Sequence, residues 1–234
     1  MSYSFTGCLV LQVAVVTFLC FEYALTDTIK LSIMIQLKLH FKYLKLSVQE
    51  LIANAKDEFC MENELESWSV CQYDIPFVYL QKQSKRVIDH YNYIIQVASE
   101  TELIFNKCVL FSFISMSFVI CLAMLRISNM QQVNTEHLEF LFYIIAPLIV
   151  FFVDCYFTQE VITENEAFAY SFYEIDFIGT HLAFQKCLIL CIARAQRLVS
   201  FTIGKFVPLT MVATITIVKA SFSYYTLLKS RNKD

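Results

Sequence analysis

Glycine and proline are nearly missing, three of each in 234 residues. Tight turns and disordered linkers draw on these residues, so neither a strand-and-turn fold nor a long flexible tether fits the chain. Charge is sparse too: 17% of residues carry it, and 18 Lys and Arg are outnumbered by 21 Asp and Glu. A net charge of -3 offers no basic field for nucleic acid. The four histidines, His40, His90, His137 and His181, stand far apart without metal-ligand spacing. GxSxG, HExxH, GxGxxG and phosphate-loop patterns are absent, as is any CxxC. These gaps exclude the common hydrolase, zinc and nucleotide chemistries, and no residue pattern asks for a cofactor. The expectation is a protein that is not an enzyme.

Long apolar runs are what the chain does have. Hydrophobic residues make up 57% of it, with a mean hydropathy of +0.55. They come in blocks long enough to cross a bilayer, which points to an all-α membrane protein. Seven of the nine cysteines lie in or beside these blocks, where a free thiol acts as a small hydrophobe. Cys60 and Cys71 lie in a polar stretch and would pair only in an oxidising compartment.

The pattern reads as a multi-span helical bundle whose helices extend into a second bundle in water. Residues 1–53 form one long helix, a span followed by an amphipathic rod. In the rod Ile33, Leu37, Phe41, Leu44, Val48 and Leu51 share one face, while Lys38, Lys42, Lys45 and Gln49 share another. Residues 54–84 are polar and read as a loop. A second long helix spans 85–126, polar first and apolar later; 127–137 is a short connector; 138–176 is a span with a polar extension, carrying Pro147; and 177–200 holds a further helix. Residues 203–229 are the last span and 230–234 the tail. Nine Lys or Arg fall between Asp27 and Lys107, so that side is expected to be cytoplasmic and the 127–137 connector extracellular. The acidic residues Glu160, Glu164, Glu166, Glu174 and Asp176 read as a solvated face, and the pair Cys187 and Cys191 as packing.

The last span holds Lys219 near its middle. A lysine at membrane depth costs at least about 2.5 kcal/mol on insertion scales. At 100° per residue, Thr216, Lys219, Ser223 and Thr226 fall with Val212 inside about 80° of arc. Such a stripe faces water, as in a pore, or else Lys219 pairs with an acid on another helix.

Here the sequence resembles a family. AQRLVSFTIGKF followed by VKASFSYYTLL is similar to the C-terminal signature of insect odorant receptors. CYFTQEVITENEAFAYSFYEIDF and DHYNYIIQVASETELIF resemble the family's preceding motifs, Cys121 its fifth-span cysteine, and Asp27-Thr28 with His40-Phe41 its fourth span. Leu198 stands where the family usually has proline, Thr158 where it has glycine and Phe177 where it has tryptophan. The resemblance covers spans four to seven, so the chain is expected to be a fragment lacking the first three.

The resemblance implies a subunit of a ligand-gated, non-selective cation channel in the plasma membrane of olfactory sensory neurons, with its C-terminus extracellular. Its partners would be a small volatile odorant, a co-receptor subunit in a hetero-tetramer, and membrane lipid. The 177–200 helix would belong to a cytoplasmic anchor bundle. The last span would line the pore with Thr216, Lys219, Ser223 and Thr226, and the gate would fall at Leu227. Odorant would touch residues such as Phe113, Met116, Phe142 and Tyr143. Two alternatives stand beside it: a gustatory receptor of the same superfamily, whose usual ending SYYTLLKS lacks, and a non-conducting membrane protein that only binds partners through the anchor bundle.

Overall fold

The computed structural model describes residues 2–64, 71–129 and 135–231. Six helices, α1 Ser2–Gln49, α2 Leu51–Glu62, α3 Phe77–Asn129, α4 Thr135–Ser171, α5 Leu182–Ala195 and α6 Met211–Arg231, carry nearly all of them. A two-residue hairpin, β1 Thr202–Ile203 and β2 Val207–Pro208, joins α5 to α6. Within the described residues, α1, α3 and α4 are long and apolar enough to cross a membrane. At 1.5 Å per residue the 53-residue α3 reaches about 80 Å, far beyond a hydrocarbon core of about 30 Å. Each long helix therefore has an apolar half and a polar half.

In the polar halves the helices hold one another by an apolar seam. Leu37, Phe41, Leu44 and Val48 of α1 and Leu51 at the start of α2 are buried, with Ile33 packed against them, which is the face their spacing predicts. The seam meets Tyr91, Ile94 and Ala98 of α3, Val161 and Phe168 of α4, and Phe172 just past the end of α4. Tyr91 stacks on Phe168 with ring centroids 5.1 Å apart. Lys38 donates to Glu160 at 2.5 Å, and that hydrogen bond pushes the lysine above its ordinary range. Gln49 donates to Glu174 at 2.8 Å. Two members of the acidic stretch thus clasp α1 rather than standing free in solvent.

The polar segment 54–84 is more ordered than its composition suggests. α2 runs through it to Glu62, and α3 begins at Phe77. α2 buries Leu51, Ile52, Ala55 and Cys60, a helical spacing hidden among charges. Glu58 of α2 pairs with Lys82 of α3 and accepts from Gln83 at 2.6 Å. All nine cysteines are free, including Cys60 and Cys71. Burial pushes the Cys191 thiol of α5 up to about 12, as expected of a packing thiol. Much of the connector 127–137 and the end of the tail 230–234 lie outside the described residues.

The hairpin explains the Gly-Lys-Phe motif. Phe206 N–H closes a turn onto the Ile203 carbonyl at 3.1 Å, with Gly204 at φ 60° and Lys205 at φ 64°. A Cβ on Gly204 would stand 2.7 Å from a Leu110 methyl of α3. Thr202 donates to Glu102 at 2.6 Å and accepts from Asn106 at 3.1 Å, tying the hairpin to α3. Gly204→Ala is expected to cost about 1–3 kcal/mol through left-handed strain and overpacking. Leu110→Ala should relieve only the packing part, so thermal melts of the two single variants and the double should be non-additive.

His40 of α1 and His90 of α3 meet edge to face at 5.4 Å, and Tyr43 lies 5.6 Å from His90. Burial, and then His40, hold His90 below its ordinary pKa. A base lowered in the fold contributes stability that is complete above its unfolded pKa, about 6.5, and is lost as pH falls through the folded value. Melting temperature should therefore drop on acidification below about pH 6.5, and His90→Phe should flatten that dependence.

Candidate functional site

An open cavity of about 850 Å³ lies where the apolar halves of α1, α3 and α4 diverge. α1 contributes Glu22, Tyr23, Thr26, Asp27 and Lys30; α3 contributes residues from Phe105 to Val119; α4 contributes Phe142, Tyr143, Ala146, Pro147 and Val150. The lining is largely apolar, with a polar strip along α1. That combination suits a small, mostly hydrophobic molecule.

Met116, Phe142 and Tyr143 line this cavity. Phe113 does not line it. One step round α3, it packs against Phe151 with ring centroids 6.2 Å apart. Periodicity places a residue on a helix but not the neighbouring helix it meets, and here α4 takes Phe113 out of the lining.

Beneath the cavity lies an ion cluster that sequence reading missed. The Lys30 ammonium donates to Asp27 at 2.9 Å, one turn back on α1, and to Asp154 of α4 at 2.5 Å. All three side chains are at most 16% exposed. The signal was available as Asp154 inside LIVFFVDCYF, a charge that an apolar helix tolerates only with a partner. The second oxygen of Asp154 is buried and accepts no hydrogen bond among the described residues.

α6 packs on α3 and α4 through Ala213, Ile217 and Ser221, all at most 1% exposed. The Ser221 hydroxyl reaches the Ser117 carbonyl of α3 at 3.4 Å. Thr216, Lys219, Ser223 and Thr226 lie on the opposite side and are exposed, as is Leu227 at 65%. Among the described residues Lys219 has no ion-pair partner. The polar stripe turns away from the rest of the chain.

The family model for the 7tm odorant receptor matches residues 1–222. The chain belongs to that family. Its members are receptors, not enzymes, and the chain is a membrane protein. It is 28% identical over 145 residues to odorant receptor 22c of Drosophila melanogaster, which covers 62% of this chain and 36% of that protein. It is 27% identical over 148 residues to odorant receptor 10 of Aedes albopictus, covering 62% of this chain and 38% of the relative. The matched part is thus little more than a third of the curated relatives' own length. The fold is similar to the insect olfactory receptor OR5 of Machilis hrabei, solved in complex with eugenol. The TM-score is 0.66 at 13% identity, covering 88% of this chain and 47% of that one.

Lys30 is what balances the buried Asp154 and the partly buried Asp27. Lys30→Met leaves Asp27 and Asp154 together without a cation and should destabilise the α1–α4 seam by about 3–5 kcal/mol. The check is a melting curve of the detergent-solubilised chain. Lys30→Met with Asp154→Leu should recover most of the loss, because one deeply buried carboxylate goes with the cation.

Proposed function

We propose that this chain is an odorant receptor subunit of a ligand-gated cation channel, binding a small volatile in the cavity between α1, α3 and α4 and lining the pore with α6. The observation that carries the reading is the geometry of α6. Its apolar face is spent on α3 and α4, and its stripe of Thr216, Lys219, Ser223 and Thr226 is presented outward, where copies in an oligomer would enclose water. The neighbour's eugenol supports a small, largely apolar ligand here as well.

The cavity and α6 are joined through one step of α3. Met116 lines the cavity, and the next residue, Ser117, meets Ser221 of α6. A ligand that wedges α3 away from α4 displaces the surface on which α6 rests. A ligand shifts such an equilibrium only by the difference between its affinities for the two states. Phe142 and Tyr143 therefore matter for gating only as far as they hold the ligand better in the open arrangement. Leu227, one turn beyond Ser223, is the proposed hydrophobic constriction, and the co-receptor is the proposed partner that completes the pore. This reading places the chain in the plasma membrane of sensory neurons with α6 ending outside. On the same reading the polar halves of α1 to α5 lie in the cytoplasm as an anchor bundle, and lipid covers the exposed apolar faces.

The test is current through the chain co-expressed with the co-receptor and challenged with a panel of volatiles. Leu227→Ala should raise basal current at least several-fold by opening an apolar barrier. Lys219→Gln should raise cation conductance by removing a like charge from the conduction path. Unchanged basal current and conductance in both variants would remove α6 from the pore. Co-purification with the co-receptor without any current would favour a partner-binding role instead.

A further inference from the structure

Hydroxyls of Tyr23, Ser112 and Ser115 line the cavity, but the strip around Asp27 is weighted towards acceptors. Asp27 uses one carboxylate oxygen for Lys30; its other oxygen accepts no hydrogen bond among the described residues, and Asp27 lines the cavity. Its side chain is 16% exposed, against 8% for Lys30, so the acid and not the ammonium is the more open part of the cluster. Thr26 cannot offer its proton freely, because its hydroxyl donates to the Glu22 carbonyl at 2.9 Å. On the α4 wall, Pro147 has no N–H, which deprives the Tyr143 carbonyl of its donor four residues on. Tyr143 and Pro147 both face the cavity. Charge points the same way. Two carboxylates and one ammonium leave the Asp27–Lys30–Asp154 cluster with one negative charge in excess, and an oxygen of Asp154 is buried without a partner. Lys107 also lines the cavity, but it is exposed at the edge, where water can solvate it.

We infer that Asp27 is a specificity-determining residue of this cavity, selecting small amphiphiles whose polar group donates a hydrogen bond (alcohols, phenols and primary amines) over ethers and hydrocarbons of the same shape. The inference rests on the cavity being the ligand site. The apolar walls take the body of the ligand, and the free oxygen of Asp27 takes its O–H or N–H. An ether offers only acceptors to this strip, so it leaves the carboxylate desolvated and unpaired, which is the costly arrangement. Removing Asp27 does not orphan Lys30, because the pair with Asp154 remains and is neutral.

The experiment measures binding of benzyl alcohol, benzylamine, benzyl methyl ether and toluene to the full chain in lipid nanodiscs. Wild type should prefer the alcohol and the amine to the ether by about ten- to a hundredfold, the discrimination expected of a hydrogen bond to a charged group. Asp27→Leu should erase that preference and keep or improve toluene binding. If Asp27→Leu does not assemble, the isosteric Asp27→Asn carries the test, and there the amine should lose more than the alcohol. Equal affinity for all four probes in wild type, or a donor preference that survives Asp27→Leu, overturns the inference while leaving the cavity as the ligand site. Ala146→Trp separates the two ideas by filling the cavity. If all four probes bind that variant as they bind wild type, the cavity is not the site and the role of Asp27 falls with it.

Discussion

One buried ammonium sets the geometry of the receptor. Lys30 holds Asp27 on its own helix and Asp154 on α4, at the level where the apolar halves give way to the polar ones. Charges at that depth are tolerable only in contact with one another. Sliding α1 against α4 by one turn, or rotating it by a quarter, would leave them apart. The apolar seam below, from Leu37 to Val48, is permissive by comparison, since one leucine packs about as well as the next. Net stabilisation from such a cluster is small or negative against an apolar equivalent, so its value lies in register rather than in strength. Lys38 with Glu160 and Gln49 with Glu174 repeat the same alignment further along, at lower cost because they are more exposed.

That register shapes the cavity. Above the clasp, α1, α3 and α4 separate and leave an open apolar space; below it they close on Phe41, Tyr91 and Phe168. The clasp therefore lies at the floor of the cavity. α6 sits on the far side of α3 and α4, with Ser221 on Ser117, one residue from the cavity wall at Met116. The cavity wall and the surface on which α6 rests thus share a single layer of helix. The Gly204 turn, just ahead of α6, packs directly on the Leu110 side chain of α3.

Much of this was legible in the residues, and the pattern of success has a physical cause. Where one helix face is wet and the other dry, the period of 3.6 is printed in the sequence. The buried face from Leu37 to Leu51 and the outward stripe from Thr216 to Thr226 were both recoverable that way. Inside an apolar block every face is apolar, so the period says nothing about which neighbour a side chain meets. Phe113 shows this, three residues from Met116 but turned onto Phe151 and not into the cavity lining. α2 was lost in the polar segment because Leu51, Ile52, Ala55 and Cys60 are too few apolar positions to stand out among charges. The Lys30–Asp154 pair joins residues 124 apart in the chain, a separation over which no local pattern carries information.

The exposed stripe of α6 carries a further consequence. An apolar helix face left open in a bilayer is covered by lipid at no cost, but Lys219 with its neighbouring hydroxyls is not. The 21-residue α6 is long enough to cross a hydrocarbon core of about 30 Å, yet it falls outside the helices apolar enough to be recognised as spans. A helix with that length and that polarity is stable across a membrane only when its polar side meets water or other protein. Within this chain α3 and α4 already occupy the Ala213–Ile217–Ser221 side. On the proposed reading, an assembly that brings several such stripes together around water would meet that requirement for all of them at once, so one lysine and three hydroxyls on a single face would ask for both partners and a pore.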